Sequence, residues 1–516
     1  MSEKELYHSK YSNLRQISSL ISSNLSYIRN TEEDETKDYF SSKENALSAI
    51  LSGYATLPEK YHDIFVSPLK DLFTNHYDRV LKDMKNTRSP LEKKFQIPFR
   101  DYIEAIDHRK DGLLKKEEHA FQVVIDDLYA GYLDMTSRIG IKPPDNQIVP
   151  PLPRFSIAGQ YIGPYTVAAN DTILHDYRIK MSIVTMGPAY AKNIVLWGAL
   201  AHECAHDVTV ADNGLLEECA QKVYSAIFSA SELQGHAVIY NGISEPFAKR
   251  AAEVWKFWIY ETVADIIGIL NFGPASAIAF SSLVIPLKGG ELSTRGKPDD
   301  SHPIDSLRIF MAADLINEIS SLNVNIRNTW NNALLTITDN YINNKDKFSL
   351  GWDNPLRGFR PTVEFPFELM RLTTKIVAKT LCQGRLETLE NHSLSEINTW
   401  ADNDELISVR IADELIDNKE PTLESHEGET EVYPAHIISG AIYALMENTD
   451  ISLITNLSIS ALSKYYDKHD TWNSYPLIDN DFQFHSFIPS FSLTDISTKK
   501  HKKGSTKRNR RSKRKS

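Results

Sequence analysis

Apolar residues recur at helical spacing through the first part of the chain, in runs such as Leu14–Ile28 and His119–Ile139 that are separated by the acidic stretch Asn30–Asp38. This pattern predicts an N-terminal helical region over residues 1–141. Lys142–Arg154, KPPDNQIVPPLPR, is too rich in proline to continue a helix and reads as a connector and a first domain boundary. Short β-like pieces follow, RFSIAGQYIG, YTVAA and YRIKMSIVTM, up to Gly187-Pro188, where proline can open the next helix. Asn193–Val208 is apolar nearly all round, the mark of a buried helix. The most apolar stretch, Ile259–Leu287, is interrupted by Glu261, Asp265, Asn271, Gly273 and Pro274, which fits two buried helices joined by a turn better than a membrane span. From Leu315 to Thr494 the pattern is again mainly helical, with FSLGWDNPLRGFRPTVEFP read as a loop and DNKEPTLESHEGETEVYP as an acidic insert. The division expected is 1–141 helical, 142–154 connector, 155–330 core, 331–497 helical and 498–516 tail. The class is α+β, mainly α.

Charge changes this picture at one end. Lys499–Lys515 holds about eleven Lys and Arg and no acid; removing them from the formal net charge of −11 leaves about −22 on the remainder. The tail cannot bury a core and reads as disordered, able to contact nucleic acid or another anionic surface through charge alone. It has no interleaved aromatics, so base stacking is not indicated. The start of the chain has no apolar segment behind a basic one, which predicts a cytoplasmic protein. Cys204, Cys219 and Cys382 are too few and too scattered for a disulfide framework.

The chemistry lies in His202-Glu203-Cys204-Ala205-His206. On a helix, positions i and i+4 share a face, so the two imidazoles can hold one metal ion with Glu203 beside it. Zinc takes neutral imidazole nitrogens, and three protein ligands leave a position for a water whose pKa falls to roughly 7. The alternative is two helix histidines beside a glutamate, but polar groups turned inward from so apolar a run need partners, and a metal is one. Cys204 points off the histidine face and reads as packing. Two residues compete as third ligand. Asp212 lies six positions after His206, but the turn that would carry it there normally relies on a glycine where this chain has Thr209. Glu261 is the better choice: Glu261 and Asp265 share one face of an apolar helix, where a carboxylate is costly unless paired or bound to metal. Asp265 would then accept the free ring N–H of His202.

HECAH, a later ETVAD and then Ser301–Ile309, SHPIDSLRI, together resemble the gluzincin metallopeptidases, especially the HtpX-like group. The likeness covers roughly Gly187–Phe310. It implies a zincin-like catalytic domain with a small sheet and an active-site helix, zinc on His202, His206 and Glu261, Glu203 as general base and Asp265 behind His202. His302 and Arg308 would return to the pocket and steady the oxyanion, although Arg308 equally suits a salt bridge. In zincins the strand before the active helix forms the edge on which a peptide substrate pairs, which points to Ile179–Met186. His436 is a weaker candidate donor, since a histidine on an apolar helix is more often a satisfied core residue. Asp107–Gly112 with Glu118 has the outline of a calcium loop, but Arg109 stands where an oxygen ligand belongs, so a polar interhelical turn is expected. The function expected is a zinc metallopeptidase acting on peptide or protein substrates. The alternative is a non-catalytic, metal-stabilised helical scaffold docking to nucleic acid or anionic surfaces through its tail.

Overall fold

The computed structural model describes residues 14–29, 41–57, 59–85, 96–111, 115–146, 148–155, 164–167, 182–342, 344–354, 358–447 and 450–469. The basic tail lies outside these residues, as does the expectation attached to it. Helices dominate and strands form two small sheets, in agreement with the α+β, mainly α class. The helices that position the site are α1 (Leu14–Arg29), α2 (Lys115–Leu133), α3 (Leu200–Val208), α4 (Ile259–Phe272), α5 (Pro274–Leu287), α6 (Asp305–Glu318), α7 (Pro434–Glu447) and α8 (Ile451–Lys468).

Pro188 does not open the helix that carries the histidines. It opens a separate single turn, Pro188–Ala191. The chain restarts at Asn193, whose side chain accepts from the Val195 amide and begins a buried 3₁₀ segment, Ile194–Ala199, and only then does α3 follow. Both ends of the chain pin that restart: Asn193 Nδ2 donates to Asn24 Oδ1 of α1 at 2.8 Å, and the Ile194 amide donates to Thr455 Oγ1 of α8 at 3.1 Å. Ile259–Leu287 folds as two buried helices, α4 and α5, joined at Gly273. Gly273 has φ 61°, and a Cβ there would strike the Trp400 ring at 2.5 Å, so glycine is required on both counts. No helix among the described residues is long and apolar enough to cross a membrane.

The first sheet has the order β1–β3–β2. Here β1 (Leu152–Phe155) runs parallel to β3 (Ile183–Met186), and β2 (Tyr165–Val167) runs antiparallel to it. Two expectations change. The described part of Ile179–Met186 is the central strand, and the edge against α3 is β2. Nor is Lys142–Arg154 a free connector: its second half is buried and supplies β1, and the Arg154 guanidinium pairs with Asp101 at 2.9 Å and with Glu104 inside the protein. Prolines are tolerated there because β1 is an edge strand.

The second sheet has the order β5–β4–β8–β7–β6. Asn241-Gly242, with φ 49° and 81°, turns β4 (Ala237–Tyr240) into β5 (Ile243–Pro246). The stretch read as a loop around Trp352 is instead a hairpin of β7 (Lys347–Asn354) and β8 (Gly358–Pro366), with Phe348, Leu350, Val363 and Phe365 turned into the core. The loop after α5 joins this sheet as β6 (Arg295–Gly296), parallel to β7. One apolar core holds side chains from Ile17 to Tyr465, so the lines drawn at 141 and 330 both pass through it. A smaller cluster lies between helices Lys43–Leu51, Ser67–Lys85 and Gln96–Asp111 and the first sheet.

Candidate metal centre

α3 and α4 pack closely because Gly268 faces the backbone of α3; a Cβ on it would stand 3.2 Å from the His202 nitrogen. The histidines of one helix therefore meet the acids of the other. His202 Nε2 and His206 Nε2 are 3.0 Å apart, and Glu261 Oε2 lies 3.2 Å and 3.5 Å from them. Among the described residues this is the only group of three or more His, Cys, Asp or Glu side chains whose ligand atoms lie within 4.8 Å of one another. Two imidazole nitrogens and a carboxylate oxygen aimed at one point form a donor set that suits zinc. Electronegative atoms this close need a proton or a cation between them.

The surroundings orient these donors. His202 Nδ1 lies 2.9 Å from Asp265 Oδ1 and donates to it, which leaves Nε2 free for the metal, as expected of Asp265. Asp265 is in turn gripped by Arg308 through Nε at 2.7 Å and a terminal nitrogen at 2.6 Å. His206 has no acceptor for Nδ1 among the described residues, and its ring is instead stacked on Tyr260, centroids 4.3 Å apart. Burial opposes charge on His202, yet the carboxylates of Asp265 and Glu261 outweigh it and push the imidazole up to about 10. Burial likewise opposes charge on Glu261, but His206 and His202 hold its carboxyl well below the usual range. Asp265, buried too, is brought down to about 2 chiefly by Arg308.

Glu203, next to His202 on α3, is buried on the wall of a cavity of about 600 Å³ that His202 and His302 also line. Thr166 Oγ1 of the edge strand β2 lies 3.0 Å from Glu203 Oε2 and 2.9 Å from the Glu203 carbonyl, with one proton to share between them. His302 returns to the site as expected: Nε2 is 3.4 Å from Glu261 Oε2, and Nδ1 is held by Asp300 Oδ1 at 2.7 Å. Burial lowers its basicity, but Asp300 and Glu261 more than reverse this and raise its pKa.

Of three other candidates, Arg308 lies at the site and His436 and Asp212 are placed elsewhere. Arg308 is committed to Asp265, so its salt-bridge reading replaces the oxyanion role. His436 accepts from the Tyr433 amide at 3.0 Å and bonds Asp404 at 3.0 Å, in a separate cavity beside Trp400. Asp212 is locked by Arg138 at 2.7 Å and 3.0 Å and faces Tyr132, with no exposure on either charged side chain. It cannot serve as third ligand. Asp212→Ala should accordingly keep the metal yet cost about 3–5 kcal/mol of stability by stranding Arg138, measurable by denaturant unfolding. The calcium outline also dissolves: Asp107 and Asp111 lie in the helix Gln96–Asp111, and Arg109 donates to Gln122 Oε1 at 3.0 Å.

Sequence reasoning missed Thr166, Tyr260 and Asp300. Only Asp300 left a signal, an acid two residues before His302 in DDSHP. No protein-family model matches the chain, and neither a curated protein nor a solved structure does.

Proposed function

We propose that this chain is a zinc-dependent metallopeptidase. The observation that carries the reading is the convergence of His202 Nε2, His206 Nε2 and Glu261 Oε2, with His202 and Glu203 lining one cavity. His202, His206 and Glu261 hold the ion. When bound, zinc supplies a Lewis acid that acidifies water and polarises a carbonyl. Glu203 takes the proton of the attacking water and passes it to the leaving amine. Thr166 fixes the rotamer of that carboxylate. His302, whose Nδ1–H is held by Asp300 and whose protonated form the neighbouring carboxylates favour, donates its Nε2–H to the developing oxyanion. The side of β2 that pairs with no strand among the described residues offers main-chain groups for an extended substrate, in place of the strand expected from sequence.

The test is metal analysis of the purified full chain with hydrolysis of a quenched-fluorescent peptide mixture before and after chelation. About one zinc per chain is expected. Chelation should abolish cleavage and zinc should restore it. A chain without metal, or one whose cleavage survives metal removal, overturns the proposal and favours the scaffold alternative.

A further inference from the structure

We propose that the cavity beside the metal point selects extended peptides with large apolar side chains next to the cleaved bond and a carboxylate further along the chain. This rests on the peptidase reading and names its substrate class. Phe280, Leu283, Val284 and Leu287 all line the cavity, at the three- and four-residue spacing that places them on one face of α5. Phe280 marks the end near the site, its ring centroid 4.2 Å from the Arg308 guanidinium carbon. Leu287 marks the mouth and is 38% exposed, a leucine that the protein itself does not cover. From Phe280 to Lys288 the helix rises about 12 Å at 1.5 Å per residue. An extended peptide at about 3.3 Å per residue spans that with about four residues.

The same cavity carries the second element. Arg295 and Lys297 both line the cavity, on either side of Gly296, whose Cα face is set against Ile304 and Leu350 so closely that a Cβ would lie 3.0 Å and 3.1 Å from them. Arg295 lies over the Phe359 ring at 5.1 Å, and neither cation has an ion-pair partner among the described residues. Lys288 differs, being 3.6 Å from Asp305. Of the other acids on the lining, Asp265 is paired with Arg308, Asp300 with His302 and Asp305 with Lys288, while Asp353 and Glu203 have no ion pair among the described residues. Outside its tail the chain is strongly acidic, so two unpaired cations lining this cavity stand out as a receptor for negative charge.

The zinc-loaded Glu203→Gln chain allows binding to be read without turnover, by fluorescence anisotropy of labelled peptides. Four are compared: a Leu/Phe segment ending in a free carboxylate, the same segment amidated with a terminal Glu, the same amidated with Lys, and a Ser/Gly segment ending in a carboxylate. Either or both apolar carboxylate peptides should bind about tenfold or more tighter than the Lys and Ser/Gly peptides, and which of them do tells a chain terminus from an acidic side chain. Arg295→Glu with Lys297→Glu, both on exposed side chains, should make the Lys peptide bind tighter than either carboxylate peptide. If neither carboxylate peptide binds tighter than the Lys peptide, or if the order is unchanged after charge reversal, the inference is overturned. If the preference holds but the wild-type chain cleaves none of the four, the peptidase reading fails instead.

Discussion

Glu203→Gln is expected to lower peptide hydrolysis by about 10²–10⁴-fold or more while leaving zinc content and melting behaviour at wild-type values. The amide keeps the shape of the side chain and can still meet Thr166, whose hydroxyl is able to donate to the remaining oxygen. What it loses is the ability to take a proton. Glu203 also lies outside the group of three ligand atoms, so its replacement leaves the metal point intact. Turnover, metal content and circular dichroism measured on one preparation separate a lost base from a lost ion. Undiminished turnover would remove Glu203 from the reaction.

Glu261→Ala carries the second large effect. Loss of a group that merely orients a ligand typically weakens metal binding about 10–100-fold, and loss of a ligand itself should exceed that, so zinc affinity is expected to fall by more than about 100-fold. The two imidazole nitrogens, 3.0 Å apart, would then face each other with no carboxylate to bridge them. Competition with a chromogenic chelator measures the change. Wild-type affinity in this variant would discard Glu261 as ligand.

These residues were legible in sequence because each broke a local rule. Histidines at i and i+4 in an apolar run, and a carboxylate pair in the next apolar helix, are costly unless they meet something, and the cost itself pointed to a shared partner. The turn at Gly273-Pro274 was visible for a similar reason. Asn241-Gly242 was as strong a local signal for a hairpin as any in the chain and was passed over. The β7–β8 hairpin was obscured by Gly351, Pro355, Gly358 and Pro361, which read as breakers, although Gly351 sits at a bulge and Pro361 lies within β8. Thr166 and Tyr260 could not have been found by any periodicity. They act across elements, Thr166 from a three-residue strand and Tyr260 by the stacking of two rings, and such contacts exist only once the helices have been packed. The proline-dense stretch misled for a related reason, since composition says that a segment is not helical and does not say whether it is covered.

The pinning of Asn193 and Ile194 by α1 and α8 has a consequence for the order of events during synthesis. The ribosome releases the histidines of α3 some 250 residues before Thr455. Until α8 arrives, the Ile194 amide at the head of the buried 3₁₀ segment lacks the acceptor that it has in the finished fold. A nascent chain halted between α6 and α8 would carry His202, Glu203, His206 and Glu261, yet would lack the Thr455 hydroxyl that meets the Ile194 amide. The head of the histidine segment gains this bond only with the arrival of the last described helix.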